Sequence, residues 1–112
     1  MIKDTKNSEH YQWGSGCDGW HLVQSSSLSI IQEKMPPGSS ENLHYHNSAQ
    51  QFFYILKGSA VFELENETFE VREGQGFHIT PKKKHRILNQ SGQVLEFIVT
   101  SEPKSHGDRI NL

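Results

Sequence analysis

Residues 38–58, GSSENLHYHNSAQQFFYILKG, set Gly38, His44, His46, Gln51 and Gly58 at fixed intervals. His44 and His46 are two apart. Side chains two apart on a strand point to one face, with a rise of about 3.3 Å per residue, so two imidazoles can converge there on one ion. The chain holds seven histidines, and that number would give about 0.4 such pairs by chance, so the pair alone says little. Its surroundings say more. A second stretch, residues 74–89, GQGFHITPKKKHRILN, again runs from glycine through a strand and a turn to a histidine, His85, and ends on Asn89.

Outward from these stretches, short apolar runs alternate with turn residues at a spacing of roughly ten, the pattern of an all-β sandwich or barrel. Strands are predicted at Trp20–Gln24, Leu28–Met35, Asn42–His46, Gln51–Leu56, Ala60–Leu64, Thr68–Arg72, Phe77–Thr80, His85–Asn89 and Val94–Thr100. Pro36-Pro37-Gly38, Lys57-Gly58, Glu65-Asn66-Glu67, Glu73-Gly74-Gln75-Gly76 and Gln90-Ser91-Gly92-Gln93 separate them. No segment keeps a helical period over eleven residues or more. About nine short strands must deal with their edges, and closing or doubling the sheet does so. The expected fold is therefore all-β, a jelly roll. Residues 1–19 are polar and glycine-spotted and read as an N-terminal arm; 20–100 read as the barrel; 101–112, with Pro103 and Gly107, read as a C-terminal tail.

The totals narrow the function. The 112 residues suit one domain. A formal net charge of −2 leaves no basic excess for nucleic acid or an anionic membrane surface. No apolar run approaches the roughly 20 residues of a membrane span. Residues 1–6 lack the apolar core of a signal peptide, and Cys17 is the only cysteine, so a cytoplasmic location is expected. Imidazole is the commonest transition-metal ligand among side chains.

The two stretches together read Gly-x5-His-x-His-x4-Gln-x6-Gly and Gly-x5-Thr-Pro-Lys-x2-His-x3-Asn. This resembles the cupin superfamily, whose motifs are Gly-x5-His-x-His-x3–4-Glu-x6-Gly and Gly-x5-Pro-x-Gly-x2-His-x3-Asn. The resemblance runs from Gly38 to Asn89. It implies a double-stranded β-helix barrel with His44, His46 and His85 as ligands of one divalent transition metal, Fe, Mn, Ni, Zn or Cu. Three departures stand out. Gln51 takes the place of Glu, Thr80 takes the place of proline with Pro81 one residue late, and Lys82 takes the place of glycine. The last two are turn changes and should cost the metal site little. Gln51 could bind through its amide oxygen or hold a metal-bound water. Either way it brings no charge, and the site stays more electropositive than one with Glu. A small anionic or enolate-forming ligand is expected.

Other residues are weighed around this site. His78 lies at an alternating position seven residues before His85 and is the candidate acid–base group. If Gln51 faces the metal, Phe53 and Ile55 line the barrel, and Phe52, Tyr54 and Leu56 face out. Tyr45 points away from the ligands. Lys82-Lys83-Lys84 reads as a solvated turn and Arg86 as outward-facing. Glu33 is left unoriented. Cys17 reads as an arm cysteine; His10, His21 and His106 take no role. Trp13 and Trp20 flank the glycine-rich stretch as a candidate partner surface, and cupins commonly pair through their N-terminal strands, so a homodimer is expected.

The superfamily includes dioxygenases, isomerases, epimerases, decarboxylases and lyases, so the fold does not name the reaction. The leading expectation is a metalloenzyme acting on a small oxygen-rich molecule such as a sugar, sugar acid or keto acid. The alternatives are a metal-dependent binding or sensing domain and a metal-free sugar-binding barrel. No helix-turn-helix segment supports a regulator.

Overall fold

The computed structural model describes residues 1–105 and 107–112; His106 lies outside them. Eleven strands follow one another: β1 (Glu9–Trp13), β2 (Cys17–Gln24), β3 (Ser29–Met35), β4 (His44–His46), β5 (Gln50–Lys57), β6 (Ser59–Leu64), β7 (Glu67–Arg72), β8 (Gly76–Ile79), β9 (His85–Leu88), β10 (Leu95–Glu102) and β11 (Arg109–Asn111). They form a six-stranded sheet in the order β1-β2-β3-β10-β5-β8 and a five-stranded sheet in the order β11-β4-β9-β6-β7, with every pairing antiparallel. This is the expected jelly roll.

Alternation decides what each strand buries. Along β5, Gln51, Phe53 and Ile55 are buried, while Phe52, Tyr54 and Leu56 are exposed. Along β10, Leu95, Phe97, Val99 and Ser101 are buried. At the closed end the sheets pack Met35, Ile55, Phe62, Ile87, Leu95 and Phe97. Toward the other end the inward positions turn polar: Ser29, Gln51 and Ser101 are buried there with the three histidines. The barrel is thus solid at one end and chemically equipped at the other.

The motif residues that are not ligands hold the turns. Gly38 adopts φ +82°, and its N–H donates to the Asn89 carbonyl at 2.8 Å while the Asn89 N–H donates to Ser39 O at 2.8 Å. The glycine of the first motif and the asparagine of the second therefore pair with each other. Gly58 sits at φ +86°, and a Cβ there would lie 2.7 Å from Val94 O, so neither its conformation nor its space admits a side chain. The β6–β7 hairpin turns through Glu65 and Asn66, both with positive φ, as a two-residue loop between paired Leu64 and Glu67 requires.

Two boundaries are corrected. The chain up to residue 19 is not a free arm: β1 and the start of β2 belong to the large sheet, Cys17 is fully buried and Trp13 packs against the core. Nor is 101–112 only a tail. β10 runs to Glu102, and β11 pairs with the histidine strand β4.

Candidate metal centre

β4 is three residues long, and its neighbours fix it from both sides. His44 lies opposite His85 of β9, and His46 lies opposite Arg109 of β11. After His46 the chain is held by Asp108, whose Oδ2 accepts the N–H groups of Ser48 and Ala49, each at 2.9 Å. These bonds hold the Asp108 carboxyl below its usual range. His44, His46 and His85 are all buried, and one ring nitrogen of each lies within 4.8 Å of the others. Their ring centroids are 4.3 to 5.6 Å apart.

The backbone selects the tautomers. His44 Nδ1 lies 2.7 Å from Asn42 O, and His85 Nδ1 lies 2.8 Å from Lys83 O. A carbonyl only accepts, so each Nδ1 carries the proton and each Nε2 presents a lone pair. Among the described residues, neither nitrogen of His46 has a hydrogen-bond partner, although both are buried. Burial, the largest cause, lowers His44 to about 3 and His46 to about 4 and also lowers His85. All three are therefore neutral, the form that ligates metal.

Gln51 faces the same point. Its Nε2 lies 3.0 Å from Ser101 Oγ, and its Oε1 lies 3.2 Å from His85 Nε2. The Ser101 hydroxyl can donate as well as accept, so the carboxamide can turn either its oxygen or its N–H toward His85. With the oxygen toward His85 Nε2, a cation shared by the two would satisfy both lone pairs, and the same cation would satisfy His46. The donor set thus fits a divalent transition ion on its own geometry.

His78 is not part of this group. Gln51 pairs with Ile79 and Phe52 with His78, so an inward Gln51 puts His78 on the outer face. There it is exposed and bonds Gln50 Oε1 at 2.9 Å. Its reading as the acid–base residue is corrected on that ground. Lys82, Lys83 and Lys84 are exposed, and Arg86 pairs with Glu63 at 2.8 Å. Lys82 keeps the left-handed φ, +70°, that glycine adopts without strain, and its N–H donates to His46 O at 2.7 Å.

His44 and His46 open into a cavity of about 740 Å³ between the sheets, which Gln51 and Phe53 also line. Sequence reasoning missed much of its wall: Glu41, Tyr11 of β1, His21 of β2 and Arg109 of β11. Glu33 shares the parity of the buried Ser29 and Met35 on β3 and so faces inward, a direction the sequence alone does not give.

A sequence profile of the cupin domain matches residues 31–101. The chain belongs to the cupin domain family. A protein of Methanocaldococcus jannaschii described as uncharacterized is 37% identical over 89 residues, covering 79% of this chain and 71% of its own. An oxalate-binding protein of Thermotoga maritima is 34% identical over 83 residues, covering 70% of this cupin and 69% of its own length. Among solved structures, a protein from Thermotoga maritima described as a predicted oxalate decarboxylase superposes with a TM-score of 0.84 at 23% identity, covering 93% of this cupin and all of that chain. That likeness is one of fold.

Proposed function

We propose that this cupin binds one divalent transition metal through His44, His46 and His85, with Gln51 Oε1 as the fourth protein donor, and acts on a small oxygen-rich molecule in the adjoining cavity. The observation that carries this is the convergence of one ring nitrogen each of the buried His44, His46 and His85 within 4.8 Å, with Gln51 3.2 Å from His85 Nε2. When bound, the ion supplies Lewis-acid polarisation of a ligand oxygen. The protein's own residues orient the donors, through Asn42 O, Lys83 O and Ser101 Oγ, and limit water around them. A sugar, sugar acid or keto acid that offers two neighbouring oxygens matches the polar lining.

A second reading has one observation in its favour, the oxalate-binding relative. It is binding of a small dicarboxylate without turnover. The cavity also holds Glu33 and Glu41, and two carboxylates disfavour a dianion unless both are protonated.

Elemental analysis of untagged protein after reconstitution tests the metal. One equivalent is expected, and it should be lost in His46→Ala. Less than about a tenth of an equivalent would overturn the reading. Titration of the loaded protein with oxalate and with neutral sugars then separates the two readings. Tight oxalate binding with no turnover of any sugar or keto acid favours the second.

A further inference from the structure

The cavity has a second polar wall that metal binding does not use. Tyr11 of β1 lies opposite Gly19 of β2, and Gly19 lies opposite Glu33 of β3. A Cβ at Gly19 would stand 2.2 Å from Tyr11 Cζ. The bare glycine therefore lets the phenol lie across β2, and its O–H donates to Glu33 Oε1 at 2.9 Å. Among the described residues, no other group bonds the Glu33 carboxyl. Glu41 reaches the same cavity from the β3–β4 connection, its side chain 12% exposed. Its Oε1 accepts the Ile87 N–H at 3.1 Å, and its Oε2 lies 3.8 Å from Arg109 Nη1. Among the described residues, the other titratable or charged groups lining this cavity are Glu9 of β1, His21 of β2, His44 and His46 of β4, Arg109 of β11, and Lys104.

We propose that Glu33 and Glu41 form an acid–base pair that moves a proton on a carbonyl compound held in the cavity, with Tyr11 positioning Glu33. The inference rests on the metal-dependent reading above and gives it a reaction class. Two carboxyls in one confined space do not readily ionise together, so one keeps a proton while the other is free to take one. Burial, the largest cause in each case, raises Glu33 to about 7 and Glu41 to about 8, and the Glu33 charge adds to the rise at Glu41. Both then exchange protons near neutrality.

The step balances without an oxidant. The ionised carboxylate takes a proton from the carbon next to the carbonyl. The C–H electron pair becomes the carbon–carbon π bond, and the carbonyl π pair moves to oxygen. The protonated partner gives that oxygen its proton. One C–H bond breaks and one O–H bond forms, which converts ketone to enediol. Reversal on either carbon gives isomerisation, epimerisation or solvent exchange.

Dihydroxyacetone is a suitable probe, because it is neutral and offers a carbonyl beside a hydroxyl. The zinc-loaded full-length protein is incubated with it in D2O, and deuterium entry at carbon is followed by proton NMR against an equal concentration of free zinc. Exchange above that control is expected. Glu33→Gln and Glu41→Gln should each lower it by about 100-fold or more, with zinc content kept and melting temperature no lower than that of the parent. Tyr11→Phe removes the bond that favours the Glu33 carboxylate, so Glu33 should hold its proton to higher pH. The acid limb of the pH–rate profile should then move up, which a merely structural role would not produce. Loaded protein with no exchange above free zinc overturns the inference alone. So do glutamine variants within threefold of the parent. Protein that retains no zinc overturns the metal reading and this inference with it.

Discussion

With a carboxamide at position 51, the protein donors to the centre carry no charge, and a bound divalent ion keeps its full +2. Gln51→Glu should therefore tighten metal binding by at least about tenfold, the scale of one added charge-assisted contact, as measured by competition with a chelator. Weaker binding in that variant would place Gln51 outside the donor set. Without metal, the site's residues also govern stability against pH. Burial holds His44 at about 3 and His46 at about 4 when folded, and lowers His85 too, against an ordinary imidazole value of 6.5. Their contribution is fully present above about pH 6.5 and is lost as pH falls toward the folded values, at about 1.4 kcal/mol per unit for each group. Glu33 and Glu41 have the opposite sign. Raised from 4.5 to about 7 and 8, they contribute fully below pH 4.5 and lose that contribution as pH rises through the folded values. Three histidines against two glutamates leave stability rising to a maximum near pH 6.5, then falling. Melting temperatures of the metal-free protein should trace that peak, and the double variant Glu33→Gln/Glu41→Gln should remove the fall on the alkaline side and steepen the rise between about pH 4.5 and 6.5. A profile unchanged by the double variant would contradict it. His44, His46, His85 and Gln51 could be singled out because the two cupin-like motifs that carry them are each short and local in the chain, whereas the spacing of His44 and His46 alone says little. The direction of His78 was not, because it depends on pairing with β5, a partner more than twenty residues away.

Nine strands could be read from runs and turns, since glycine, proline and asparagine mark the chain where it must bend. β1 and β11 could not. β11 is exposed at all three positions, and β1 has only Tyr11 and Trp13 half-buried among exposed polar residues, too short an alternation to mark a strand in a polar stretch. Their strand form rests on pairing with β2 and β4. Yet they bring Tyr11 and Arg109 to the cavity, so the least legible elements supply part of its wall. The turn after β9 shows the reverse case, a motif residue whose work is structural. Asn89 is 1% exposed; its Nδ2 donates to Met35 O at 3.0 Å and Gln93 O at 2.8 Å, and its Oδ1 accepts from the Ser91 N–H at 3.1 Å. Asn89→Asp keeps the shape, removes both donors and adds a buried charge beside two carbonyls. It should cost about 3 kcal/mol or more in folding stability, as read by chemical denaturation. A loss under about 1 kcal/mol would show that the turn is held by its backbone bonds alone.

The molecule as a whole has an outer face that the barrel does not need. On the far side of β5 from the centre, Phe52, Tyr54 and Leu56 are 43%, 42% and 39% exposed, and the Phe52 and Tyr54 rings stack with centroids 6.5 Å apart. Exposed apolar groups are common singly, but a contiguous row beside an edge strand suits an interface. We propose this face as the pairing surface in place of the tryptophans. Trp13 packs against the core, and Trp20 lies tilted against His10 on the outer side of the same sheet, their rings 5.2 Å apart. Two copies joined across β5 would each keep the three histidines and Gln51 inside their own barrel, so pairing and metal binding should separate. Light scattering at micromolar concentration is expected to give twice the 12.8 kDa chain mass. Tyr54→Lys with Leu56→Lys places two charges on that face and touches no buried residue. The variant should run as a monomer with unchanged metal content. A parent protein that is already monomeric, or a double variant that stays dimeric, would remove β5 as the interface. A variant that turns monomeric and also loses its metal would show instead that each barrel relies on its partner to hold β4 in place.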